Sequence, residues 1–178
     1  MALILSGLIV LLPIGSNGDD PGSANESPLR VTPGAELARW ETEVAENPGD
    51  ANRIVVLAEV LANSGRVTES IPYFERAIEL RPDDAQLRVA FGSALQRNGS
   101  YYDAELQLLR AVELDPDNIS AAYYLAILYE GLPSPRMDEA RRWYERTIEI
   151  DPDSVIAQQS AQRIEELSAE IATPTTGT

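Results

Sequence analysis

The residues in this chain that could do chemistry are carboxylates, and they come in close pairs: Asp83 with Asp84, Asp115 with Asp117, and Asp151 with Asp153. Paired acids can carry out general acid–base work, or can hold Ca2+ when further oxygens follow at alternate positions. The surrounding sequence supports neither use. Histidine and cysteine are absent, which removes the commonest general base and metal ligand along with any thiol nucleophile or disulfide. After Asp115 and Asp117 the next alternate position is Ile119 rather than a third oxygen ligand, and no glycine follows it. No glycine-rich phosphate loop or serine elbow occurs. The sequence therefore predicts no catalytic residue, no metal and no cofactor, and a chain that is not an enzyme.

What the acidic pairs share is their place in a longer phrase. Each follows or flanks one of the prolines Pro48, Pro82, Pro116 and Pro152, which recur at spacings of 34, 34 and 36 residues. Two residues beyond each proline stands Asp50, Asp84, Asn118 or Ser154. These are helix N-cap types, whose side-chain oxygen accepts a free backbone N–H of the helix that follows. Proline has no N–H to donate and restricts the residue before it, so it closes the preceding helix. Capping thus accounts for the aspartates without any reaction.

Between the prolines each phrase holds two amphipathic stretches and a break. In the first, Ile54, Leu57, Ala58 and Leu61 fall three or four apart, Asn63-Ser64-Gly65 breaks the chain, and Ser70, Phe74, Ala77 and Leu80 form a second stripe. The second phrase repeats this with Phe91, Gly92 and Leu95, the break Asn98-Gly99, then Ala104, Leu108, Ala111 and Leu114. The third has Leu125, Ala126 and Tyr129, then Ala140, Tyr144, Thr147 and Ile150. The small residues Ala58, Gly92 and Ala126 stand opposite Ser70, Ala104 and Ala140, as close helix crossings at about 8–10 Å require. Phe74, Leu108 and Tyr144 are the large residues beside them. A fixed period of this length marks a stack of helix pairs in which each repeat buries its apolar face only against its neighbours.

This pattern resembles the tetratricopeptide repeat (TPR) family, over repeats 51–82, 85–116 and 119–152. The first helix position is Ile54 in one repeat but Arg88 and Ala122 in the others, a local departure. The third repeat carries two extra residues within Gly131-Leu132-Pro133-Ser134-Pro135, and with them it is also similar to the related Sel-one-like repeat. The resemblance implies an all-α fold: an α-solenoid of three TPR helix pairs, with an N-terminal capping helix from Gly34 and a C-terminal capping helix over 155–169, making one domain over 34–169. Trp40 is expected to plug the open end. On the last helix, Val155, Ala161, Ile164 and Leu167 are expected to face the stack, and Gln158, Gln159, Gln162, Glu165 and Glu166 to face water. Pro72 is expected near the first turn of its helix, where a missing N–H costs least.

In such a solenoid the first helix of each pair lines the concave face. The outward positions are then Asn52, Val55, Glu59 and Asn63 in the first repeat, Gln86, Val89, Ser93 and Arg97 in the second, and Ser120, Tyr123, Ile127 and Glu130 in the third. Mixed apolar and amide residues suit an extended peptide or a helix of a protein partner. Co-chaperones of the family clamp a C-terminal carboxylate with Lys, Arg and Asn. Here those places hold Val55, Glu59, Ala90, Ser120 and Tyr124, so the resemblance implies that an acidic chaperone tail does not bind.

The net charge is −15, and all 14 cations are arginine. Such a balance favours solubility and argues against nucleic acid or anionic lipid as partner. Met1 to Ile14 is an apolar run too short for a simple membrane span at 1.5 Å per residue. It suits a secretory signal or part of a longer anchor, although no basic residue precedes it; packing as an extra cap on the stack is the bland alternative. The expected organisation is a signal or anchor over 1–16, a flexible linker over 17–33, and a disordered tail over 170–178. The expected function is a non-catalytic scaffold of the cell envelope, exported or anchored, that holds a partner's peptide or helix in its groove during assembly of a larger complex. Membrane-tethered members of the family assist assembly in the envelope, cytochrome maturation machinery among them. The alternative is a structural or spacer subunit acting through its helix stack.

Overall fold

The structure, a computed structural model, describes residues 33–172. Expectations for residues 1–16, nearly all of the linker, and the end of the tail lie outside the described residues. Within them are eight helices and no strand: α1 (Pro33–Glu46), α2 (Ala51–Asn63), α3 (Val67–Leu80), α4 (Ala85–Arg97), α5 (Tyr101–Leu114), α6 (Ile119–Glu130), α7 (Met137–Ile150) and α8 (Val155–Ala172). Pro33, at the expected end of the linker, is the first residue of α1, where its missing N–H is an orphan in any case. α8 continues to Ala172, beyond the expected end of its cap at 169.

The helices begin where the capping residues place them. The Asp50 carboxylate accepts from the backbone N–H of Asn52 at 3.0 Å, Asp84 from Leu87 at 2.9 Å, Asn118 from Ala121 at 3.0 Å, and Ser154 Oγ from Ala157 at 3.1 Å. Asp84→Ala is expected to cost about 1 kcal/mol, the usual worth of a lost cap, read as a lower denaturant midpoint at unchanged slope. Within the first two repeats the turn closes through Gly65 and Gly99, both at positive φ (78° and 79°), a backbone only glycine adopts at little cost. The N–H of Arg66 then donates to Leu61 O, and that of Ser100 to Leu95 O. In the third repeat, despite its two added residues, the N–H of Arg136 still donates to the matching carbonyl of Tyr129 at 2.9 Å. The insertion is absorbed without moving the register of α7.

Each helix packs on the partner of its own repeat, α2 on α3, α4 on α5 and α6 on α7, and on the next helix along the chain. Besides these, α2 touches α4, α4 touches α6, and α6 touches α8, while α3, α5 and α7 make no such contact with one another. The first helices of the pairs therefore lie on the inner curve and the second helices splay on the outer one.

The crossing points are as small as the repeat requires. Ala58, Ala126, Ala104, Ala140 and Ser70 are fully buried. A Cβ added at Gly92 would stand 2.7 Å from Leu108 Cγ, a side chain that is itself buried without any exposure. Gly92→Ala gains about 1 kcal/mol of helix propensity, but overpacking a filled core costs about 1–3 kcal/mol. The variant is expected to melt below the parent by calorimetry. Across the first repeat boundary, Phe74 stacks on Phe91 with centroids 5.0 Å apart.

Three placements differ from expectation. Pro72 is the sixth residue of α3, one turn further in than expected, so the bond an N–H there would make to Thr68 is missing. On α8 the buried stripe is Ala157, Ser160 and Leu167, with Ile164 half-buried. Val155 and Ala161 are exposed instead. The polar Ser160 displaced them because it has a partner: its Oγ lies 2.5 Å from Thr147 Oγ1 and donates to Ile156 O at 2.9 Å. A buried hydroxyl with both bonds made is no worse a neighbour than an alanine. Trp40 is half-buried beside Leu37, Leu57 and Leu61 at the end of the stack, as expected of a plug.

Candidate functional site

The inner curve carries three hollows, two along α2 and α4 and one where α6 meets α7 and α8. The first, about 240 Å3, lies between α2 and α4 and is lined by Asn52, Val55, Glu59, Gln86 and Ala90, with Arg81 and Asp84 at its edge. The second, about 270 Å3, is lined by Glu59, Asn63, Gln86, Val89, Ser93, Arg97 and Tyr124, with Phe74 at its base. The third and largest, about 470 Å3, lies between α6, α7 and α8 and is lined by Tyr123, Ile127, Glu130, Tyr144, Gln159, Gln162, Arg163 and Glu166. All of the expected groove residues except Ser120 border one of these hollows. Ser120, in the first turn of α6, is half-buried and borders none of them.

Bordering a hollow is not the same as facing outward, and two of the expected positions do not. Val89 is 1 % exposed and Ser93 is 8 % exposed. They sit on α4, which is flanked on both sides by other first helices, so what would be open face at the edge of the stack is floor at its centre. Ser93 spends its hydroxyl on Ala90 O at 3.0 Å. A charge placed at Val89 would therefore report on stability and not on binding. The surfaces open to a ligand are Asn52, Glu59, Asn63, Gln86 and Arg97, which are exposed, and Val55, Tyr123, Ile127 and Glu130, which are half-buried.

Charges are distributed unevenly along the groove. Arg97 donates only to the amide oxygen of Asn63, at 3.4 Å, and forms no ion pair among the described residues. It is a cation lining the middle hollow. Glu130 is the opposite case. It accepts from Tyr144 Oη at 2.8 Å and from Arg163 Nη2 at 2.6 Å, so its charge is already matched. Burial first, and then the bond to Glu130, raise the Tyr144 phenol above its usual value.

A second cluster supports the lengthened turn. Tyr129 Oη and Arg136 Nη2 both donate to Glu105 Oε1 at 2.7 Å, and the Arg136 guanidinium lies 4.1 Å above the Tyr129 ring. Burial, followed by that hydrogen bond, pushes the Tyr129 phenol up to about 12. For Glu105, burial works upward, but the bonds from Tyr129 and Arg136 outweigh it and hold the carboxyl below its usual range.

Both tyrosines have folded pKa values above the unfolded one. Their contribution is whole below about pH 10 and is lost as the pH rises through the folded values. The melting temperature is expected to fall above about pH 10, and to fall less steeply in Tyr144→Phe, by thermal scans across that range.

Sequence reasoning missed the contribution of α8. Counting on by the same period from Tyr123 and Ile127 leads to Gln159 and Arg163, and both line the largest hollow. The polar outer side of α8 disguised this, because a cap and a fourth groove helix both call for polar residues there.

Sequence models described as tetratricopeptide repeat match residues 52–84 and 89–155, more than half of the chain between them. The chain belongs to the tetratricopeptide repeat family. The second match runs through the lengthened third repeat. Solved structures with the same fold include that of MamA, 22 % identical over 77 % of this chain and 79 % of that one, with a TM-score of 0.65. Another is YrrB, described as a TPR protein with an unusual peptide-binding site, 24 % identical over 73 % of this chain and 66 % of that one, at a TM-score of 0.64. A third is the first TPR of Spaghetti (RPAP3) bound to the HSP90 peptide SRMEEVD, 20 % identical over 69 % of this chain and 94 % of that one, at 0.60. No curated protein matches by sequence. This TPR chain has no group of His, Cys, Asp or Glu among its described residues that could hold a metal ion, and no described helix is long and apolar enough to cross a membrane.

Proposed function

We propose that this TPR protein is a non-catalytic interaction scaffold that holds an extended segment or helix of a partner protein along its inner curve. The observation that carries the reading is the set of three hollows along the inner curve, two on α2 and α4 and one on α6 to α8, running from Asn52 to Arg163. Their linings alternate amides and charges with half-buried apolar surface at Val55, Tyr123 and Ile127. That mix gives side-chain pockets for specificity and polar partners for a peptide backbone. That one fold relative is bound to a peptide and another is described by its peptide-binding site supports a peptide as the ligand. Location in the cell envelope rests on the apolar run from Met1 to Ile14, and a role in assembling a larger complex on the resemblance to membrane-tethered members of the family.

Selection of displayed random peptides on the full chain tests the scaffold reading. Ligands are expected whose binding is lost in Ile127→Glu. Recovery of no ligand, or of ligands indifferent to Ile127→Glu, would contradict the reading. For location, cell fractionation with an antibody is expected to place the chain in the envelope fraction; recovery in the cytosol would remove that part.

A further inference from the structure

The outer face of α5 differs from those of its sister helices. Tyr102 is 79 % and Leu106 55 % exposed, and Leu109, one turn on, is half-buried. The repeat places Thr68, Pro72 and Glu75 at these positions on α3, and Asp138, Arg142 and Glu145 on α7, all of them exposed. Single exposed apolar residues are ordinary, but two one turn apart, continued by the half-buried Leu109, form a stripe. The stripe lies on the side of the solenoid opposite the groove.

The charges beside the stripe say what covers it. Asp103 and Arg110 are both exposed and lie on the same flank of α5, seven residues apart, or about two turns. A two-fold axis at Leu106, perpendicular to α5 and to the line joining it to its mate, sets two α5 helices antiparallel with Leu106 against Leu106. It keeps the charged flanks of both helices on the same side and brings Asp103 of each level with Arg110 of the other. Tyr102 of each then meets Leu109 of the other. A surface whose charges complement those of its own rotated copy is what an isologous interface needs. The one ion pair to be exchanged, Arg110 with Glu113 at 2.7 Å, is exposed on both sides and therefore weak.

The geometry points to a homodimer of this chain through antiparallel α5 helices, with Tyr102, Leu106 and Leu109 at its centre and reciprocal Asp103–Arg110 pairs at its rim. The arrangement leaves the concave groove of each copy open, so the dimer would present two grooves facing away from each other. A bivalent scaffold gains avidity for a partner that carries two target segments.

Sedimentation equilibrium of the full chain over a wide concentration range tests this. A monomer–dimer equilibrium is expected. Leu106→Glu would bury an unpaired charge at the axis and is expected to raise the dissociation constant by more than about tenfold, with unchanged circular dichroism and melting. Asp103→Arg is expected to weaken the dimer by setting arginine against Arg110, and Asp103→Arg with Arg110→Asp to restore it. A chain that stays monomeric throughout, a dimer indifferent to Leu106→Glu, or a charge swap that fails to restore association would overturn the proposal. A monomer that captures a different protein through Tyr102 and Leu106 would also overturn it. These readouts do not depend on whether the groove binds peptide.

Discussion

Phe74→Ala is expected to destabilise the fold by about 3–5 kcal/mol, the usual cost of deleting a buried phenylalanine ring. Phe74 is 1 % exposed and does two jobs at once. It fills the crossing of α2 and α3, and it stacks on Phe91 of the next repeat at 5.0 Å. In a solenoid, stability is close to a sum of repeat terms and nearest-neighbour interface terms. Losing both from one site is a large part of the roughly 5–15 kcal/mol that holds a small domain together. The loss is local, so unfolding is expected to lose its single transition: α1 to α3 should melt first, and the stack from α4 to α8 later. Differential scanning calorimetry with hydrogen exchange resolves the two. A single transition shifted by less than about 1 kcal/mol would show that the ring is not the link between repeats.

Tyr123→Ala is expected to weaken binding of a groove peptide by about 2 kcal/mol or more, roughly thirtyfold, as for an aromatic anchor at an interface centre. Tyr123 stands where the middle of the groove meets the largest hollow, held edge-on by Tyr124 and Tyr144 at 6.1 Å each. A ring fixed in this way gives up little rotamer entropy on binding. Gln86→Ala, on an exposed side chain at the rim of two hollows, is expected to change affinity by less than about 1 kcal/mol. Titration calorimetry with a selected peptide measures both. Equal losses at the two positions would mean that the peptide does not lie across Tyr123.

The repeat makes most of this legible in the sequence alone. Asp50, Asp84, Asn118 and Ser154 could be named as caps because their positions recur with the prolines, and local hydrogen bonding depends only on local sequence. The crossings at Ala58, Gly92 and Ala126 were legible for the same reason. Position within the stack was not. Val89 and Val55 are equivalent in the repeat, yet Val89 is floor and Val55 is wall, because α4 has a first helix on each side and α2 only on one. Ser160 hid because a serine reads as polar surface until its partner Thr147 is found thirteen residues away. Arg163 hid for a related reason. A capping helix is expected to be polar outside, and nothing in α8 alone says that one of its polar edges closes the groove.

A partner segment held as proposed lies along α2, α4, α6 and α8 on the inner curve. Backbone amide chemical-shift mapping of the full chain with a selected peptide tests this placement most directly. The largest perturbations are expected along a track through Val55, Gln86, Arg97, Tyr123, Ile127 and Arg163, with the outer residues of α3, α5 and α7 unmoved. Perturbations concentrated on the outer faces of α3, α5 and α7, with that track silent, would contradict it.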